Sequence, residues 1–284
     1  MSSPTILVTG ATGTVGSALV PALLQRGVPV RAMTRSATRS IPGAETVVAD
    51  LRDESAVVTA MHDIDVAFLN SPSSEDAAQT QIRFLDLAAR TGVSRVVLLS
   101  QYSARADSPV RFLRWHAEVE SHLRRLGIAG TVLRPNLYLQ SFLGFAETIA
   151  QGVLAAPIGD AAVSAVDTRD VADAAATVLT ATGHDGQTYT LTGPRPLTHR
   201  EIAEAIGDAI GSPVVFHELT SGQFAAALET YMPRWQVDGL IEDYAHYARG
   251  EAADVTTAIT DLTGRPARDA SDFARDHTAA FARL

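Results

Sequence analysis

The sequence contains no cysteine, which excludes disulfides, thiolate nucleophiles and cysteine-type zinc or iron–sulfur sites together. Lysine is missing as well: all 23 basic residues are arginine. That closes any mechanism needing an ammonium group, whether or not the bias began as the codon preference of a GC-rich genome. Positive charge is also in deficit, with a net charge of -9 and a pI near 5.3. A general nucleic-acid surface needs clustered positive charge to displace phosphate counterions, so no such partner is expected, although a local basic patch stays open. No apolar run approaches the roughly 18 residues of a membrane span, and the first positive side chain, Arg26, lies far past the charged start of a signal peptide. A cytoplasmic protein without a membrane partner is expected. The eight histidines show no metal-binding spacing, and there is no Gly-x-Ser-x-Gly elbow. Neither a metal site nor serine-hydrolase chemistry is indicated.

What is present suits one large domain, or one with a small lobe: 284 residues, 46% of them hydrophobic. Short apolar runs alternate with longer helical patterns over the first two-thirds, the sequence form of βαβ units and a parallel sheet. Strands are expected at 5–9, 29–34, 45–49, 65–69, 95–99 and 130–134. Helices are expected between them, as in "VGSALVPALLQRG" and in "AAQTQIRFLDLAARTG", which closes on Gly92. After Arg134 the rhythm loosens in "RPNLYLQSF". It resumes as a helix in "TRDVADAAATVLTATG", where Asp167, Arg169 and Asp170 read as a helix start with a structural ion pair. Strands "QTYTLTG" and "SPVVFHEL" then bracket a helix opened by a Thr198–Glu201 capping box, and the last 65 residues read mainly helical. The expectation is an α/β, doubly wound parallel sheet with a smaller, mainly helical C-terminal lobe.

Between the first strand and first helix lies "VTGATGTVG", with Gly10, Gly13 and Gly16. A glycine turn in that position brings backbone N–H groups and the positive helix end against a pyrophosphate. Thr12, Gly13, Thr14 and Val15 join Gly10 as expected contacts, and dinucleotide binding is the expected purpose. At the end of the second strand an arginine can neutralise the 2′-phosphate of NADP, where a carboxylate would select NAD. Arg35 stands there with Arg39 nearby, so NADP is preferred and NAD comes second. Arg31 points to another face and reads as structural.

The Gly-x-x-Gly-x-x-Gly spacing, with "VRAMTR", "VVADLRD", "TVLRPNLYLQSF", "AVDTRDVADAAATVL", "YTLTGP" and "ITDLTGRPARDASDFARDH", resembles the NmrA-like group of atypical short-chain dehydrogenase/reductases over nearly the whole chain. That group includes NAD(P)H-dependent quinone and phenylcoumaran or isoflavone-type reductases, and nucleotide-sensing regulators that have lost activity. The resemblance implies a Rossmann NAD(P)-binding domain over 1–192, with 136–160 contributing to the cleft, and a substrate-covering lobe over 193–284. It implies that Asp50 and Leu51 flank the adenine, an aspartate that could instead cap the next helix, and that Asn70 and Pro72 line the cofactor channel.

Active short-chain dehydrogenases use a tyrosine and, four residues later, a lysine. Counted back from Glu120, a recurring glutamate of this helix in the family, those positions hold Phe112 and His116, so the usual pair is missing. His116 can still bond the ribose or transfer a proton; a packed or surface histidine is the alternative. Ser100, Gln101 and Tyr102 after the fifth strand, and Asn136 and Tyr138 after the sixth, stand at strand ends where sites form. Ser100 and Asn136 are expected at the cofactor, and Tyr102 and Tyr138 are spare phenol donors or packing residues. Phe224, Tyr231, Met232, Trp235, Tyr244 and Tyr247 form either a helical core or a pocket for a flat, aromatic small molecule. These features imply an NADP-dependent oxidoreductase passing hydride to a quinone or enone-like carbonyl. A non-catalytic NADP-binding sensor and a cyclase or isomerase for specialised metabolites are the competing expectations. A homodimer or a protein partner stays open.

Overall fold

The computed structural model describes residues 5–36 and 40–282. In chain order, β1 (Ile6–Val8), α1 (Gly16–Gln25), β2 (Val30–Thr34), β3 (Glu45–Val48), α2 (Glu54–Ala60), β4 (Val66–Leu69), α3 (Ala77–Thr91), β5 (Arg95–Leu99), α4 (Arg111–Arg125) and β6 (Ala129–Pro135) come first. A 3₁₀ segment (Leu139–Phe145), α5 (Ala146–Ala150), β7 (Val153–Ala156), β8 (Ala162–Val163), α6 (Thr168–Thr180) and β9 (Thr188–Leu191) follow. The chain closes with β10 (Leu197–Thr198), α7 (His199–Ile210), β11 (Val215–Glu218), α8 (Ser221–Leu228), α9 (Arg234–Ala248), α10 (Ala258–Thr263), α11 (Ala270–Asp276) and α12 (Thr278–Phe281). Contacts divide it into two compact units. One comprises Met1–Ala106, Arg114–Arg134 and Val171–Tyr189, the other Asp107–Leu113, Pro135–Asp170 and Thr190–Leu284.

A seven-stranded sheet of order β3-β2-β1-β4-β5-β6-β9 organises the first unit, and its strands from β3 to β6 pair in parallel throughout. Alternate residues of a strand face opposite sides. Leu7, Ala67, Leu69, Val96, Leu98 and Val132 thus meet Val57 of α2, Phe84 and Leu87 of α3, and Val119 and Leu123 of α4 in one core. The intervening Ile6, Val8, Phe68 and Val97 are buried too, as a sheet covered on both faces requires. Arg95 donates to the carbonyls of Leu179 and Ala181 (2.7 and 2.6 Å), placing a cation at the C-terminal end of α6, where the helix dipole favours one.

In the second unit β8 pairs antiparallel with β10, and β7 parallel with β11. The Thr198–Glu201 capping box opens α7 as expected. Asp167 and Arg169 form a two-pronged ion pair (2.9 and 2.7 Å), and Asp170 pairs with Arg268, so the helix start reads as structural here too. The short strands β7, β8 and β10 are not apparent from the sequence, and the strand expected at 187–193 joins the large sheet beside β6. The carboxylate capping α2 is Asp53, which accepts from the N–H groups of Ser55 and Ala56. Asp50 instead accepts from Arg52 N (2.9 Å) in the turn before it.

His199 lies wholly buried among Phe142, Phe216 and Tyr244, with ring centroids 5.2 to 6.0 Å away. Neither of its ring nitrogens has a hydrogen-bond partner among the described residues. Burial therefore pushes its pKa down to about 4 from the ordinary 6.5. The folded state holds a neutral ring while the unfolded state takes a proton below pH 6.5, so this residue's contribution to stability is intact above pH 6.5 and is lost as pH falls towards 4. Replacing His199 with Leu should raise stability at pH 5 by about 1–3 kcal/mol relative to its effect at pH 8, read from urea unfolding at the two pH values.

Candidate nucleotide and hydride-transfer site

Because the strands run parallel, the segments leaving β1 to β5 emerge at one edge of the sheet. β1 lies between β2 and β4, where the order of strands along the chain reverses, the position at which open α/β sheets bind ligands. Thr9 ties the two strand ends together. Its hydroxyl donates to Asn70 O (2.7 Å) and accepts from Asn70 N (2.8 Å).

The glycine turn has three distinct requirements. Gly10 has φ +60°, and a Cβ there would lie 3.0 Å from the Asn70 amide. At Gly16 a Cβ would stand 2.1 Å from Gly10 O, so the first turn of α1 packs on the loop only without a side chain. Gly13 is different, since its Cβ would meet only Gly10 O, at 3.2 Å, and its outer face is exposed. Val15 at the helix start provides no side-chain cap. Among the described residues nothing accepts a hydrogen bond from the N–H groups of Thr12, Thr14, Val15 or Gly16. Unpaired donors at a helix N-terminus, with no Cβ at Gly13 in front of them, fit a pyrophosphate.

Arg35 follows β2, is exposed, and forms no hydrogen bond or ion pair with a described residue. Arg31 is engaged by Glu45 (2.9 Å) and the carbonyls of Ala60 and His62 (3.1 and 2.6 Å), in keeping with a structural role. Arg39 lies outside the described residues. Asp50 and Leu51 follow β3, exposed and half-buried, and Asn70 and Pro72 follow β4, half-buried and exposed.

After β5, Ser100 is buried and donates to Glu120 Oε1 (2.6 Å). Glu120 is the hub of a network not anticipated from the sequence, where it served only to align α4. Arg134 grips both its oxygens (2.8 and 2.6 Å), and Arg124 adds a third contact at 2.7 Å. Burial works to raise the Glu120 carboxyl, but the Arg134 and Ser100 hydrogen bonds overcome it and hold its pKa below the ordinary value. His116 lies one helical turn before Glu120, half-buried, with no hydrogen bond to its ring among the described residues. Burial pushes its pKa down to about 4, against the attraction of Glu120 and with the repulsion of Arg134. It is a neutral imidazole near pH 7. Tyr102 is buried.

In the second unit, burial pushes the Tyr138 phenol above its ordinary range, so it holds its proton. Asn136 donates both amide hydrogens, to Ser164 Oγ (2.8 Å) and Ala252 O (2.9 Å), and its side-chain oxygen accepts from Leu137 N. Its geometry serves the unit's own packing, which weighs against the cofactor role expected of it. Phe112 packs edge-on to Trp235, with centroids 6.3 Å apart, and its ring occupies the place of a side chain at Gly239, where a Cβ would lie 2.2 Å away. Of the aromatic set, Phe224, Tyr244 and Tyr247 are buried, and Tyr231 is 79% exposed.

A parallel sheet with a glycine turn at its switch point defines a dinucleotide-binding α/β protein of the Rossmann type. The NmrA-like family model matches residues 2–260, and the chain belongs to that family. It is 34% identical over 282 residues to the NAD(P)H azoreductase of Xenophilus azovorans, covering 97% of this chain and 99% of that protein. It is also 34% identical over 284 residues to the (4-alkanoyl-5-oxo-2,5-dihydrofuran-3-yl)methyl phosphate reductase of Streptomyces griseus, covering 98% and 99%. Among solved structures, the NADPH complex of the Escherichia coli NADPH-dependent quinone oxidoreductase superposes with a TM-score of 0.86 at 26% identity, over 95% of this chain and 99% of that one. Among the described residues no helix is long and apolar enough to cross a membrane, and no cluster of three or more His, Asp or Glu is placed to hold a metal.

The glycines separate folding from binding. Gly16→Ala should destabilise the protein by about 2–4 kcal/mol, because its Cβ collides with backbone. Gly13→Val should keep a near-normal melting temperature yet lose NADPH binding, measured by melting and by fluorescence titration.

Proposed function

We propose that this protein is an NADP-dependent oxidoreductase that reduces a quinone or an enone-like carbonyl compound. The observation that carries this is the conjunction of N–H donors in the glycine turn that have no acceptor among the described residues with an exposed Arg35, at the end of the neighbouring strand, that pairs with no described residue. The backbone of Thr12 to Gly16 holds the pyrophosphate. The Arg35 guanidinium neutralises the 2′-phosphate, and Leu51 and Pro72 offer apolar surface to the adenine. The bound dihydronicotinamide supplies a hydride, and the reduced acceptor takes one proton.

His116 offers no imidazolium acid at neutral pH, because burial pushes its pKa down to about 4. Its part is to donate or accept a hydrogen bond as a neutral ring, with Tyr102 and Tyr138 as weaker phenol candidates. A quinone suits such a site because its reduced oxyanion is stable and can draw its proton from water. That also agrees with the reductase and quinone oxidoreductase names of the relatives.

Purified protein should oxidise NADPH across a panel of quinones and enones. Tight nucleotide binding without turnover would favour the non-catalytic sensor instead. Arg35→Ala should weaken NADPH by about 10- to 100-fold, the value of a lost charge-assisted phosphate pair, and NADH by less than about threefold. Equal losses would remove Arg35 as the phosphate reader. The pH profile of kcat/KM should show no inflection near 6.5 that His116→Asn abolishes.

A further inference from the structure

Arg52 and Asp76 have no part in the site described above, yet they join two of its loops. Arg52 follows Leu51 in the turn leaving β3. Asp76 ends the loop that begins with Asn70 and stands just before α3. Nε and Nη2 of Arg52 donate to the two carboxylate oxygens of Asp76 at 2.9 and 2.8 Å, a two-pronged pair. Both side chains are largely exposed, at 56% and 43%. β3 and β4 are not neighbours, since β2 and β1 lie between them in the sheet. The pair therefore bridges loops from strands three places apart, at the edge where the nucleotide is proposed to lie.

Each end of the bridge is braced by its own loop. Asp50 accepts from Arg52 N (2.9 Å), Asp53 caps α2, and Gln81 of α3 donates to Ser71 Oγ (2.7 Å) in the opposite loop. The Arg52 hydrogen bonds, with one from Ser74, hold the Asp76 carboxyl well below the usual range, so the pair stays charged in mild acid. A braced, exposed ion pair of this kind adds little to folding. Its position gives it a different use.

We propose that Arg52 and Asp76 form a clasp over the adenosine half of the dinucleotide: positioning residues that fix the separation of the Asp50–Leu51 and Asn70–Pro72 loops and slow cofactor release. This rests on the nucleotide site proposed above. The clasp touches neither the nicotinamide nor the glycine turn, so it governs how long the cofactor stays and leaves hydride transfer unchanged. Being exposed, it weakens as salt screens it.

The test is stopped-flow release of NADPH, followed by its fluorescence when chased with excess NADP+, in Arg52→Gln, Asp76→Asn, the double variant, and the charge-swapped Arg52→Asp/Asp76→Arg protein. Each single variant should release NADPH about two- to fivefold faster at low salt, with the melting temperature of the nucleotide-free protein unchanged. The neutral double variant should be no faster than either single, the swapped protein should recover slow release, and 0.5 M salt should erase the differences, as a Debye length of about 4 Å implies. Wild-type release rates in the single variants, or additive effects in the double, would overturn the clasp alone. A wild-type protein that binds no NADPH would overturn the nucleotide site and the clasp with it.

Discussion

One carbonyl oxygen and one missing methyl group set the geometry of the nucleotide edge. Gly10 O lies 2.1 Å from where a Cβ of residue 16 would be, so α1 begins directly against the loop that leaves β1. Gly13 N donates back to Gly10 O, while the N–H groups of Thr12, Thr14, Val15 and Gly16 have no acceptor among the described residues, which gives the turn the donor pattern that suits an anion. The tie between Thr9 and Asn70 holds β4 beside it. The parallel sheet then delivers Arg35, Leu51 and Pro72 to the same edge.

A chain without lysine has met its buried-charge problem with arginine. Glu120 sits wholly buried between the ends of β5 and β6, and Arg134 supplies a planar fork that engages both carboxylate oxygens, as a compact ammonium could not. With the charge of Glu120 spent on two guanidinium groups and the Ser100 hydroxyl, little remains to hold a proton on His116. Burial decides its state, and the ring is neutral. Phe112, expected from the sequence at the position of the usual tyrosine, packs on Trp235 and Gly239. The proposed quinone or enone reduction is chemistry that asks no strong acid of the protein.

The sheet was readable in the sequence because each buried strand is a short run of β-branched and aliphatic residues between turn signals. The six strands expected up to Arg134 all form, within a residue or two of their expected ends. The glycine turn was equally readable, since its spacing, the strand before it and the helix after it agree. Short strands such as β8 and β10, two residues each, carry no periodic signal and are fixed by tertiary pairing. The Glu120 hub was hidden for a related reason: apart from Arg124, one turn along α4, its partners Ser100 and Arg134 stand at the ends of β5 and β6, 20 and 14 residues away in the chain. Asn136 shows what strand-end position alone does not reveal: its amide also knits together residues 136, 164 and 252.

Hydrogen exchange at the turn's own amides tests the central claim most directly. The N–H groups of Thr12, Thr14, Val15 and Gly16 have no acceptor within the described protein and should exchange fast in the free state. On adding NADPH they should become strongly protected, with protection around residues 34–36 that NADH does not reproduce. Unchanged exchange at residues 12–16 under saturating NADPH, or protection confined to other segments, would contradict the placement of the dinucleotide at this turn.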